Sequence, residues 1–410
     1  MEMSRVALSE GVWLNHLHNK GAGSACLSIH LLTQLARESA AMNALLPAVL
    51  RRGCARYGDD AALAVRLDEL GAEITPSVRL FGEIQALGFC AALPDRRELL
   101  RPVCALLGEL LLHPATRGGL LLPQYVDDER DKLAAALRRR DPVTRCVEEM
   151  CGCEDYAVGR CGSAADVNGV RYQKLSKHYR ALLPVCPVEI VYCGSADKKQ
   201  LAALLREVLA TLPRGELDTE LGTELRMNAL EAEPRTVEER LDVSQGKLVV
   251  GWRLGACMEE PDQAALCVFR ALFAGSLPPE AAPELFMDMH KGVLLAALST
   301  ENAAAEEVQD TVFSRLAALR AGDFSETALQ RARRDAAEPL RRLAECPASL
   351  ESFWLSQIVL GLDYGPAELA ELCAEPTREE LRAIAQSLDC DLIYLSAPDD
   401  SAEFTEREDE

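Results

Sequence analysis

Residues 24–32 read SACLSIHLL and residues 246–254 read GKLVVGWRL, the same kind of segment met again 222 positions along the chain. In each, small or apolar residues alternate with others at the period of two that a half-buried strand requires. A helical pattern follows both at the same offset: Leu45, Leu46, Val49 and Leu50 run up to Gly53, and Cys267, Val268, Ala271 and Leu272 run up to Gly275. A self-similarity of this length fixes the architecture ahead of any single element, because a duplicated unit folds twice.

The match continues at a smaller offset. RDKLAAALRRR (130–140), with Pro142 behind it, corresponds to RARRDAAEPLRR (331–342), with Pro347 behind it, and VEIVYCGSAD (188–197) corresponds to CDLIYLSAPD (390–399), setting Tyr192 over Tyr394 at an offset of 202. The shrinkage reads as a deletion in the second copy, placed after VLLAALST (293–300), where the first copy continues into EIQALGFCAAL (83–93). The second sheet is therefore expected to lack a strand or most of a hairpin.

Each copy reads β, β, α, α, β, then a further β in the first copy only, then several helices and a last strand. Strands bunched early and helices bunched late predict an α+β protein of two homologous domains, each a mainly antiparallel sheet with helices packed on one face. Turn formers at Pro213-Arg214-Gly215 divide the chain into domains 1–213 and 214–398. The acidic tail 399–410 is expected to be disordered.

A chain of 410 residues is long for a single hydrophobic core, and 49% apolar with 27% charged residues is a globular balance. The formal net charge of −21 repels phosphate backbones and anionic lipid, so no nucleic-acid or membrane partner is expected. The start MEMSRVALSEG has no basic cap ahead of an apolar run, and no 18 apolar residues follow one another anywhere. Fifteen cysteines in a chain this size read as reduced thiols, hence a cytoplasmic location.

Several segments carry a family resemblance: ALLPAVLRRGCARY and LDELGAEITPSV in the first half, then DQAALCVFRALFAGSLPPEAAPELF, FSETALQRARRDAAEPLRRL and FWLSQIVLGLDYG in the second. The chain resembles the insulinase-type (M16-like, inverzincin) metallopeptidases over nearly its whole length. It looks most like a bacterial subset that lacks the zinc motif and is named for association with elongation factor P modification. The resemblance implies two such domains, often paired with a second chain across a substrate chamber.

In that family an HxxEH helix supplies two imidazoles four residues apart for zinc and a glutamate as general base. Anchored on Gly53, the matching positions here are Ala44, Leu45, Leu46, Pro47 and Ala48. Both imidazoles and the base are gone, so neither catalysis nor a metal or other cofactor is expected. Pro47 beyond the first turn costs a helix roughly 3 kcal/mol, which predicts a local departure from the family's backbone. The family's third ligand would lie near Asp127, Asp128 and Glu129, read here as an acidic helix start. An arginine and a tyrosine that hold substrate backbone in some members correspond to His290 and to Ala296 or Ala297. Gly275 and Ser276, in a turn resembling the family's glycine-containing turn, are weak substrate-binding candidates with His290, against a simple helix cap at Gly275.

Other constellations carry less. His16 and His18 share one face of a strand; Cys151, Cys153 and Cys161 lack paired CxxC spacing; Cys54 and Ser276 have no nucleophile signature around them; Trp252 and Trp354 sit in apolar patterns, and with Trp13 carry no functional message. The expectation is a catalytically inactive subunit that pairs with an HxxEH-bearing homologue, or with itself, around a peptide or protein substrate. The alternative is an autonomous peptide-binding or scaffold protein.

Overall fold

The computed structural model describes residues 3–19, 23–138, 141–241, 245–301 and 304–398, and the tail 399–410 lies outside them. Two compact units divide the chain: the first comprises 1–139, 158–223 and 342–366, the second 140–157, 224–341 and 367–410. These units interleave in sequence, so each takes one short segment from the opposite half of the chain.

The first unit is built on a six-stranded sheet of β1 (Met3–Ser9), β2 (Val12–His18), β3 (Ser24–Gln34), β4 (Glu73–Phe81), β5 (Ile84–Pro94) and β8 (Val188–Gly194), in the order β1-β2-β8-β3-β5-β4. β6 (Thr116–Arg117) and β7 (Leu120–Leu121) form a separate ladder. Only β2 and β8 run parallel; the other pairings are antiparallel. Pro76 is tolerated because β4 is an edge strand, where a missing N–H breaks no interior ladder.

The second unit repeats the plan in five strands, β9 (Arg235–Leu241), β10 (Gly246–Arg253), β11 (Glu284–Asp288), β12 (Val293–Thr300) and β13 (Asp389–Pro398), ordered β11-β12-β10-β13-β9. β9 pairs parallel to β13 and the remaining pairings are antiparallel. β10 lies between β12 and β13 as β3 lies between β5 and β8, which matches the repeat read from 24–32 and 246–254.

The shortfall of one strand is present, but at another place than expected. Gly82 and Gly292, both at positive φ where a Cβ would be strained, turn the hairpins β4–β5 and β11–β12. VLLAALST is therefore the counterpart of the 84–94 strand, not a strand that precedes it. Among the described residues it is the outer strand β1 that has no counterpart. Helix Asp60–Leu70 of the first copy also has only the short turn Pro279–Ala281 opposite it in the second.

Among the described residues, each sheet carries helices on both faces. Ala25, Leu27, Ile29 and Leu31 of β3 pack into the core with Leu45, Leu46, Val49 and Leu50 of helix Arg37–Arg51, whereas Cys26 and Leu32 face Leu350, Trp354 and Leu355 of helix Pro347–Leu360. In the second unit Trp252 meets Phe273 and Phe313 edge-on at 5.7 and 6.4 Å. On the opposite face Gly251 makes room for helix Pro142–Met150: a Cβ there would come within 2.7 Å of Met150 Sδ. Among the described residues no helix is long and apolar enough to cross a membrane.

Candidate functional site

Helix Arg37–Arg51 runs without a break through the five positions that matter, and Pro47 sits inside it. The expected departure of the backbone does not occur; Pro47 only removes the N–H that would reach the carbonyl of Asn43. Tight packing holds the turn: Leu45 and Leu46 are 1% exposed and Ala44 is 8% exposed. Zinc needs nitrogen, sulfur or oxygen donors at roughly 2.0–2.3 Å. Ala44, Pro47 and Ala48 offer only carbon, so these residues do not fit the metal.

A chain of amides stands beside Ala44. Asn43, one residue ahead of Ala44, donates from Nδ2 to Gln85 Oε1 at 2.8 Å, and Gln85 Nε2 donates to the carbonyl of Arg160 at 2.8 Å. His178 Nε2 lies 2.6 Å from Asn43 Oδ1 and is the donor in that contact, since an amide oxygen can only accept. Burial, aided by Lys174, depresses the basicity of His178 and keeps the imidazole neutral. Asn43 and Gln85 are fully buried. No local pattern marks these amides, because they lie on β5 and on two helices far apart in sequence.

The acidic residues at the third-ligand region are ion-paired. Arg52 reaches Glu129 Oε1 at 2.9 Å and Asp128 Oδ2 at 3.2 Å, Lys132 also contacts Glu129 at 2.8 Å, and Arg130 holds Asp127 at 2.6 Å. They sit in the second turn of helix Pro123–Leu137, so the helix start to which they were assigned lies one turn earlier. Cations, more than the helix dipole, compensate their charge.

In the second unit, helix Gln263–Ser276 continues through Gly275 and is capped at Leu277, so Gly275 is not the cap. Its open surroundings leave it, with Ser276, Arg315, Asp323, Arg331 and Asp335, at the edge of a cleft of about 320 Å³. The Ser276 hydroxyl is turned inward onto the Phe273 carbonyl at 2.7 Å. His290 donates its backbone N–H to Asp288 Oδ1 at 2.8 Å, and Tyr156 OH donates to Asp288 Oδ2 at 2.8 Å. Burial raises the Asp288 carboxyl, but these contacts outweigh it and hold it low. Ala296 and Ala297 are buried in β12.

Next to His290 lies a buried charge network that the sequence did not announce. Lys291 Nζ is 2.7 Å from Glu154 Oε2, Arg253 spans Glu154 Oε1 at 2.7 Å and Asp391 Oδ2 at 2.9 Å, and Arg226 touches both acids. Lys291 and Arg253 are fully buried. Every charge has a partner here, an arrangement that costs several kcal/mol when one member is removed.

His16 and His18 stack at 6.2 Å between ring centroids, but His16 Nε2 is committed to the Ala196 carbonyl at 2.9 Å. Cys151 and Cys161 fall in different compact units. Trp252 and Trp354 are core residues, and Trp13 lies under the Arg5 guanidinium at 4.6 Å.

A family model described as the Peptidase M16 inactive domain matches residues 172–335. The chain is 24% identical over 398 residues to the Probable inactive metalloprotease YmfF of Bacillus subtilis (strain 168), which covers 90% of this chain and 92% of that protein. Its fold is similar to a conserved protein from Enterococcus faecalis V583, with a TM-score of 0.85 and 17% identity over 97% of this chain and 99% of that one. A protease from Helicobacter pylori is also similar, with a TM-score of 0.78 and 12% identity over 97% of this chain and 99% of that one.

Proposed function

We propose that this chain, a non-catalytic homologue of the M16 metallopeptidases, acts as the non-catalytic member of a pair whose other member carries an HxxEH zinc site. What supports the reading is that Ala44, Pro47 and Ala48, taken as the motif positions, offer no zinc donor, while the fold is similar across nearly the whole chain. A fold retained without its chemistry keeps surfaces, and in a paired architecture those surfaces close a chamber and position a peptide or protein substrate. This is an inference from analogy of fold. A net charge of −21 favours substrates with basic segments.

On this reading the homologous halves are 1–213 and 214–398, the chain works in the cytoplasm where its thiols stay reduced, and it belongs with the elongation factor P modification-associated proteins it resembles. Gly275, Ser276 and His290 are the substrate-facing positions to substitute first.

The test is size-exclusion chromatography with mass determination on the chain alone and mixed with the HxxEH-bearing homologue from the same source, followed by peptide cleavage by each peak. A mixed complex that cleaves when neither chain does alone is the expected result. Two separate peaks with no gain of cleavage would overturn it.

A further inference from the structure

We propose that the first unit binds one zinc ion through Cys26, Cys90 and Glu351, on the face of the six-stranded sheet opposite the vacated motif helix. The ladder aligns Cys26 of β3 with Ala92 and Cys90 of β5 with Ser28, so the two thiols are diagonal neighbours on one face. Their Sγ atoms are 3.3 Å apart. Helix Pro347–Leu360 lowers the fully buried Glu351 onto them, and the two sulfurs and a carboxylate oxygen lie within 4.8 Å of one another. Tetrahedral zinc with bonds of roughly 2.0–2.3 Å sets its ligand atoms about 3.3–3.8 Å apart, so the three donors need only small side-chain adjustments.

The surroundings are those of a supported ligand set. Ser28 Oγ donates to Glu351 Oε1 at 2.6 Å and Arg79 Nη2 donates to Oε2 at 2.7 Å, orienting the carboxylate as partners of metal ligands do. His30, fully buried, has Nε2 3.0 Å from Ser77 Oγ. Its Nδ1 has no hydrogen-bond partner and lies 3.9 Å from Glu351 Oε1. An orphaned buried nitrogen costs about 1–3 kcal/mol. Cys193 of β8, paired with Cys26 across the ladder and on the same face, is a further thiol beside the three donors.

The two thiols already share a hydrogen bond. Zinc replaces that proton-sharing: two S–Zn bonds form and both thiol protons pass to solvent. Two thiolates and one carboxylate against Zn²⁺ leave one negative charge, which Arg79 balances. Cys90 is half-buried and gives the ion a way in. The ion would tie helix Pro347–Leu360 to the sheet, a structural role that needs no catalytic position.

The experiment uses the full chain, stripped with chelator under reducing conditions and titrated with zinc against a chromogenic competitor. One equivalent bound is expected, lost in the Cys26→Ser/Cys90→Ser variant, kept in Cys151→Ser/Cys153→Ser, and weakened roughly 10-fold in Ser28→Ala. Cobalt in place of zinc should give thiolate charge-transfer and tetrahedral d–d bands. Alkylation mapped by peptide mass spectrometry on the unsubstituted chain covers the case in which the double variant fails to fold: zinc should shield Cys90 and leave Cys153 reactive. No zinc above background, retention of zinc by a folded Cys26→Ser/Cys90→Ser variant, or equal alkylation of Cys90 with and without zinc would each overturn the assignment.

Discussion

Asn43 satisfies two side chains at once, accepting from His178 and donating to Gln85, and is itself fully buried. Asn43→Ala should therefore cost about 1–3 kcal/mol, the penalty of leaving buried polar atoms unpaired, read as a lowered urea midpoint. His30 gives a pH prediction for the metal-free protein. Its folded value of about 3 lies below the ordinary 6.5, so the folded chain binds fewer protons than the unfolded one. Stability from this group is full above about pH 6.5 and falls by about 1.4 kcal/mol per pH unit on descending toward pH 3. His30→Asn should flatten urea midpoints between pH 6 and about 4.5 relative to the unsubstituted chain; an unchanged slope would mean that another group drives the acid loss. Restoring the motif with Ala44→His, Pro47→Glu and Ala48→His is expected to yield no zinc-dependent cleavage and a less stable chain. The new Glu would enter a packed helix face, and the acids downstream are already spent on Arg52, Arg130 and Lys132.

At the scale of elements, the repeat and the order of strands and helices were legible because alternation and helical periodicity are local patterns. Which sheet a helix covers is not local information. The amphipathic segment 347–360 carries no mark that it belongs with β3 and β8 of the first unit, nor does 142–150 carry one for β10 and β13. The Cys26, Cys90 and Glu351 cluster was hidden for that reason, since its carboxylate arrives on such a helix. A fragment ending at residue 213 would leave Leu17, Leu32, Phe81, Ile84 and Val191 without the cover of Leu350, Trp354 and Leu355. It should aggregate or populate a loosely packed state, and a peptide spanning 342–366 added in trans should restore cooperative unfolding by near-ultraviolet circular dichroism. Trp354→Ala in the full chain should cost about 3–5 kcal/mol, as expected for emptying a fully buried aromatic site.

The whole molecule carries 65 acidic against 44 basic side chains, and this excess acts in two opposed directions. Like charges repel within the folded chain, so moving from about 10 mM to about 150 mM salt, which shortens the screening length from roughly 30 to roughly 8 Å, should raise the urea midpoint. The same screening weakens attraction to a basic partner or peptide, so complex formation in the mixing experiment should slow and loosen over that range. Stability rising while association falls would tie the acidic excess to recognition at the cost of self-repulsion. Association that ignores salt would mean that apolar contacts hold the pair, and that the charge serves solubility alone.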